Sequence, residues 1–509
     1  MRTKIKKKEK SSNYILLFFS LIINLSIIKS ETKYVYFPLK PKDDTYLKSI
    51  NKIKEIMKYI YLEPLISEII IGTPEQKANF IFRTDCSYFY LTNKNHKVSK
   101  PDSTSELIQK KFGDFSYYNP DKSDSVNYFE NIKNYTYAYD NQYTSKLIKE
   151  KIKINDKECS LNITVAEKIE LEEPGAICLQ ILEDKDKGLL FTPSFIVSLK
   201  EQLNLINIYK WFIYYSEDNN NYLVIGASPN EVKNPKTGNL LYPEYDKEKN
   251  YGKINDILGI LNKREMKLKF DDIYLIDNNN DKTEIHFEDN KNFFGKLIPN
   301  IGFIVGTKDY SNYVEKNIFE KYLNNNKCKK GKFNQRPDLT GQEYEFYYCE
   351  ESLYDTMKSL YNKIIFKHTA LSENFELDFN DVFIKQNKYL IFLIIFSTHE
   401  HFYWSLGKPF MKKYQFEFDF ENKYIGYYKI QKKENNNKNK ENNENDNSLK
   451  YILISIGVII LAGILITLGI IIGKYYFKMR KKRANELEDD FDYQQKKDSN
   501  PTPIINDNE

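Results

Sequence analysis

The sequence predicts an all-β fold of two lobes, followed by one transmembrane helix near the C-terminus. Three observations lead there. Short apolar runs recur between clusters of Asn, Asp and Ser, the pattern of strands separated by turns. Tyr (41) and Phe (33), which suit a pleated surface, are abundant. A charge-free run from Tyr451 to Gly473 is long enough to cross a bilayer as a helix. The 509 residues, 41% of them hydrophobic, suffice for a large core and for two lobes. The 76 basic and 71 acidic residues leave a formal charge of only +5, so no nucleic-acid partner is expected.

The elements follow in chain order. Met1 to Lys10 is strongly basic, Tyr14 to Ile28 is mostly apolar, and Ser30 is small. Residues 1–30 therefore read as a secretory signal peptide. Ile28 stands where the cleavage site favours a small residue, so an uncleaved anchor is the alternative. A lead segment, 31–64, carries one amphipathic stretch, Tyr46 to Met57. Strands are expected over Ile66 to Ile71, Phe80 to Phe82, Tyr88 to Leu91, Tyr135 to Tyr139 and Lys146 to Ile154. Pro193 to Gln202 reads as a helix. Pro229, Asn234, Pro235, Gly238 and Pro243 cluster between 228 and 250, separating lobes at 65–235 and 236–431. Residues 432–449 are polar and of low complexity, cannot bury a core, and read as a stalk. The apolar run gives a membrane helix over 450–473. Lys474, Lys478, Arg480, Lys481, Lys482 and Arg483 then assign 474–509 to the cytoplasm. Gly469 and Gly473 form one small-xxx-small pair, a weak sign of helix dimerisation. The expectation is a single-pass type I membrane protein of the secretory pathway or cell surface, its ectodomain lumenal or extracellular.

Asn134-Tyr135-Thr136 and Asn162-Ile163-Thr164 are glycosylation acceptors in that topology. Of the five cysteines, Cys328 and Cys349 are close in sequence and in one lobe and make the disulfide candidate. The pairing of Cys86, Cys159 and Cys178 stays open, and the odd count leaves one unpaired within the chain.

The run Ile71 to Leu91, IGTPEQKANFIFRTDCSYFYL, resembles the opening of the pepsin-like aspartic peptidase family. That family has an Ile-Gly-Thr-Pro turn, a glutamine, a short apolar strand and then Asp-Thr-Gly-Ser. Gly72, Thr73, Pro74 and Gln76 match, as do Thr84 and Ser87. The aspartate falls on Arg83, the glycine on Asp85 and the next serine on Cys86. Tyr139 falls where the family has its flap tyrosine, or is a packed residue of a Tyr-rich chain. Pro174 to Leu179, the helix after it, and Asn221 to Glu231 resemble later segments of the first lobe. Phe303 to Val314, FIVGTKDYSNYV, falls where the second Asp-Thr-Gly belongs, with Gly306 at the aspartate and Thr307 at the threonine. Trp404 to Ile430 resembles the closing strands of the family. The resemblance covers roughly 65–430 and implies two β lobes with a cleft between them that takes a peptide or protein.

The family reaction needs two carboxyl groups sharing one proton, one activating water and the other donating to the substrate carbonyl. An arginine cannot accept a proton at physiological pH, and glycine offers no side chain. Losing one member of such a unit costs on the order of 10⁴-fold in rate. A displaced pair, Asp85 and Asp309, is the route by which activity would survive. Arg83 is open to two readings, pairing with Asp85 or Asp309 or binding a ligand carboxylate. His399-Glu400-His401 lacks the spacing of a helical zinc pair. Cys86 has no histidine near it in sequence, so no metal, cofactor or thiol chemistry is expected.

Three functions remain. The first is a proteolytically inactive, membrane-anchored peptidase homologue that binds a peptide or protein or serves as a surface interaction domain. The second is an active aspartic-type endopeptidase using Asp85 and Asp309. The third is a structural surface protein with a closed cleft.

Overall fold

The computed structural model describes residues 33–84, 89–98, 103–137, 141–169, 173–179, 194–216, 219–235, 238, 241, 267–276, 282–283, 293–334, 343–361, 363–367, 374–399, 403–422, 424–429, 469–470 and 472–478. Contacts divide the chain into two compact units, Met1–Ile430 and Gln431–Glu509.

The first unit is mostly β. A seven-stranded sheet runs in the order Leu65–Ile71, Gln76–Arg83, Gly175–Cys178, Phe89–Val98, Lys157–Ile169, Asn141–Ile154, Asn127–Tyr137. A nine-stranded sheet places Phe293–Leu297, Tyr403–Leu406, Ile304–Gly306 and Ile394–Ser397 side by side. A five-stranded sheet gathers Val35–Pro38, Tyr222–Ile225, Lys210–Tyr214, Tyr414–Asp419 and Tyr424–Lys429, so both ends of the unit meet in it. Four further strands form a small sheet around Asp272–Ile276 and Lys363–Lys367.

The abundant aromatics fill the core that these sheets enclose. Trp211 stacks on Phe418 with centroids 4.1 Å apart, and Phe319 on Tyr347 at 4.7 Å. Such pairs add to the burial of large apolar surface. Phe80, Phe82, Trp211 and Trp404 are fully buried. Cys328 and Cys349 stand opposite each other on neighbouring antiparallel strands and are disulfide-bonded. Cys178 is also disulfide-bonded, with a partner outside the described residues, and Cys159 is free.

Helices are more frequent than an all-β reading allows. The amphipathic stretch Tyr46 to Met57 is two helices, Thr45–Ser49 and Ile53–Tyr61. The second turns Ile56, Met57, Tyr59 and Ile60 inward at helical spacing. Ser103–Phe112 is a helix where no element was expected. Pro193 to Gln202 is helical over Phe195–Val197 and continues as a π-helical turn over Ser198–Gln202.

In the second unit, residues 469–470 and 472–478 are helical and exposed. Among the described residues, no helix is long and apolar enough to cross a membrane. The apolar run from Tyr451 lies largely outside the described residues, as do 1–30 and 432–449.

Candidate functional site

Arg83 closes the strand Gln76–Arg83, at the point where it leaves the sheet beside Gly175–Cys178. Its side chain is 22% exposed, and Nη1 lies 4.0 Å from Oε2 of Glu173. Glu173 is held from two further directions. The buried Tyr90 hydroxyl donates to its carboxylate, and Thr92 Oγ1 donates to its backbone carbonyl at 2.7 Å. Asp85 lies outside the described residues, as does Tyr139. Asp309 is exposed on the helix Lys308–Val314. Glu173, a described neighbour of Arg83, is marked by no sequence motif. Thr84 is buried beside Arg83, and Thr307 precedes the helix Lys308–Val314 as its cap residue without a side-chain cap bond. Asn162 lies half-buried on a central strand, paired with Lys149, and the side chain of Asn134 is outside the described residues.

The registers reveal an internal repeat. In the first half, Gly175–Cys178 lies between two strands. It runs parallel to Gln76–Arg83, with Arg83 opposite Cys178, and antiparallel to Phe89–Val98, with Phe89 opposite Ile177. In the second half, Tyr403–Leu406 lies the same way. It runs parallel to Phe293–Leu297, with Leu297 opposite Leu406, and antiparallel to Ile304–Gly306, with Ile304 opposite Leu406. One alignment satisfies both registers: Phe89 falls on Ile304 and Ile177 on Leu406. It carries Arg83 onto Ile298, Thr84 onto Pro299, Asp85 onto Asn300 and Cys178 onto Gly407. Equal chain lengths separate Arg83 from Phe89 and Ile298 from Ile304.

Gly306 is therefore not the counterpart of Arg83; the alignment places it on Leu91. Gly306 is buried inside the sheet, and a Cβ built there would meet Phe396 Cε1 at 3.0 Å and Trp404 Cη2 at 3.1 Å. No side chain projects from that position toward a site. Asp309 falls on Lys94 in the same alignment, so Asp85 and Asp309 are not equivalent either. Ile298 is half-buried, its amide donating to Leu406 O at 3.0 Å.

The two halves touch at these turns. Asn300 Nδ2 donates to the carbonyl of Phe82 at 3.0 Å, and the Asn300 carbonyl accepts from the amide of Glu63 at 3.1 Å. Gly302 makes this approach possible, and Gly407 packs as tightly within its own half. A Cβ on Gly302 would lie 1.9 Å from Ile60 O, and one on Gly407 2.1 Å from Phe303 O.

Beside this contact lies a buried charge cluster. Lys111 is 1% exposed, and its Nζ donates to Tyr59 O at 2.9 Å, Leu62 O at 2.7 Å and Glu63 Oε1 at 2.8 Å. Lys408, next to Gly407, donates to Glu63 Oε2 at 2.8 Å. Lys42 stands 3.9 Å from the same carboxylate. Burial opposes charge on Glu63, but Lys408, Lys111 and Lys42 overcome it and hold the carboxyl down at about 2. Burial pulls the Lys111 ammonium down to about 8, with Glu63 resisting. Lysine and glutamate 48 residues apart cannot be matched by a sequence motif, so sequence reasoning missed this cluster.

Neither register-equivalent position carries a carboxyl group, and the described carboxylate at Arg83, Glu173, is tied to a guanidinium and a phenol. Among the described residues no group of three or more His, Cys, Asp or Glu side chains is placed to hold a metal ion. No protein-family model matches the chain, and no curated protein matches it.

Proposed function

We propose that this chain is a membrane-anchored homologue of the pepsin-like aspartic peptidases that has lost the peptidase chemistry and binds a peptide or protein between two lobes. One observation carries the reading: the equivalent positions of the internal repeat are Arg83 and Ile298. A guanidinium is charged at every physiological pH and an isoleucine has no titratable group, so no proton can be shared between them. The two-lobed architecture is supported by the repeat itself and by the five-stranded sheet that draws strands from both ends of the unit. In this reading the second aspartate position is Ile298 rather than Gly306, with Pro299 and Asn300 in place of the threonine and glycine. Anchoring rests on the apolar run Tyr451 to Gly473 and the basic residues after it.

The test is hydrolysis of a mixed peptide library by the purified chain from pH 3 to 7, with and without pepstatin. No cleavage is expected; pepstatin-sensitive cleavage overturns the reading. A second arm tests the register. Arg83→Asp with Ile298→Asp gains measurable pepstatin binding, while Arg83→Asp with Gly306→Asp gains none. The reverse ranking would overturn the assignment of Ile298.

A further inference from the structure

The strand Cys328–Asn334 carries its lysines on two faces, because successive strand side chains alternate. On one face the charges are matched. Lys330 lies 2.7 Å from both Glu315 and Glu345, and Lys332 lies 3.1 Å from Glu343. Lys329, on the other face, has no ion pair among the described residues. It opens on a cavity of about 510 Å³ that Lys327 and Lys388, also without ion pairs among the described residues, line as well. Two carboxylates, Glu350 and Glu351, share that lining. Glu351 is engaged by Lys385 at 3.7 Å, which leaves Glu350, whose carboxylate accepts from Ser352 Oγ at 3.5 Å. Tyr348 and Tyr389 line the same cavity, edge to face with centroids 5.4 Å apart, and the Lys388 ammonium stands 5.4 Å from the Tyr389 centroid, beside the ring.

The cavity is built on fixed backbone. The amide of Glu350 donates to Lys327 O at 3.0 Å, and that of Glu351 to Lys388 O at 3.0 Å. The Cys328–Cys349 disulfide ties the two strands of one wall. A solvent-open space of this size, with aromatic rings and polar groups in its lining, is large enough for a small molecule. Three ammonium groups without ion pairs among the described residues outnumber the two carboxylates of the lining and favour an anion. Tyrosine faces beside them select a body with an apolar face, as the C–H face of a sugar ring provides.

We propose that this cavity binds an acidic saccharide, a sugar ring carrying a sulfate or carboxylate. Lys327, Lys329 and Lys388 hold the acid group, and a tyrosine face supports the ring. None of these residues belongs to the Arg83 site, so the proposal stands or falls independently of the peptidase-like reading.

The experiment is calorimetric titration of the full chain in detergent with three probes: a chondroitin sulfate disaccharide, a neutral disaccharide of the same size, and inorganic sulfate. The sulfated disaccharide is expected to bind about tenfold or more tightly than either of the others. Lys329→Met with Lys388→Met weakens it by about tenfold, as loss of charge-assisted hydrogen bonds implies. Tyr389→Ala weakens the disaccharide and leaves inorganic sulfate unchanged. Unaltered thermal unfolding confirms that the variants keep their fold. Equal affinity for the disaccharide and inorganic sulfate, equal affinity for the neutral disaccharide, or full binding by the double lysine variant would each overturn the proposal.

Discussion

The two halves of the first unit build the same three-strand motif and finish it with opposite chemistry. At Arg83 the turn ends in a cation, answered by Glu173 and left partly open to solvent. At Ile298 it ends in an aliphatic side chain on the strand's flank, and charge is displaced to the next layer, where Glu63 gathers Lys408, Lys111 and Lys42. A shared backbone register thus fixes where side chains project without fixing what they do. The Arg83–Glu173 pair is long, at 4.0 Å, and partly exposed. In the Glu63 cluster the carboxylate and Lys111 are buried and Lys111 and Lys408 both donate to it, so its integrity matters far more.

The largest expected effect is at Glu63. Replacing it by Gln leaves Lys111 buried without a counter-ion and should cost about 3–5 kcal/mol in chemical unfolding of the purified chain. The pH dependence follows from the depressed carboxyl. Between pH 4.5 and about 2 the unfolded chain binds a proton that the folded Glu63 refuses. Its stabilisation is therefore full above pH 4.5 and is lost as pH falls toward 2, a span worth about 3 kcal/mol. Glu63→Gln should flatten that part of the stability profile; an unchanged slope would mean that other groups control it.

Next comes the contrast between the two positions proposed for the second half. Gly306→Asp forces a carboxylate against Phe396 and Trp404 in the core and should cost about 3 kcal/mol or more. Ile298→Asp, at a half-buried position, should cost only about 1–2 kcal/mol. Equal losses would break the register assignment. Gly302→Ala pushes a methyl into Ile60 O and should cost about 2 kcal/mol, read as a shift in the unfolding midpoint. Arg83→Met should cost less than Glu63→Gln in the same assay, because the Arg83–Glu173 pair is 4.0 Å long whereas Glu63 is hydrogen-bonded to two lysines.

Much of this architecture was legible in the sequence. The Ile69-Ile70-Ile71 run, the Gly72-Thr73-Pro74 turn and the Phe80 to Phe82 strand announced the first hairpin, since β-branched and aromatic runs flanked by turn residues have few alternatives. Arg83 was located in the same way. The second motif was not, because Phe293–Leu297 carries a glycine and a lysine among three apolar residues with no motif around them. Phe303 to Thr307 looked more like the sought pattern, and only strand pairing across more than a hundred residues distinguishes them. The helix Ser103–Phe112 was missed for a related reason. Its apolar stripe is thin, and what fixes it is Lys111 reaching the carbonyls of Tyr59 and Leu62 from a distant part of the chain.

The position of Glu63 bears on how this protein is processed after synthesis. Val35–Pro38 is an edge of the five-stranded sheet, Ile53–Tyr61 presses its carbonyls onto Gly302, and Glu63 neutralises lysines from two other segments. A protease that trimmed the chain just before Leu65 would withdraw a sheet edge and the only anion touching Lys111 among the described residues. Residues 33–64 are thus a permanent keystone, and maturation by their removal would yield a destabilised remnant in place of an unmasked site.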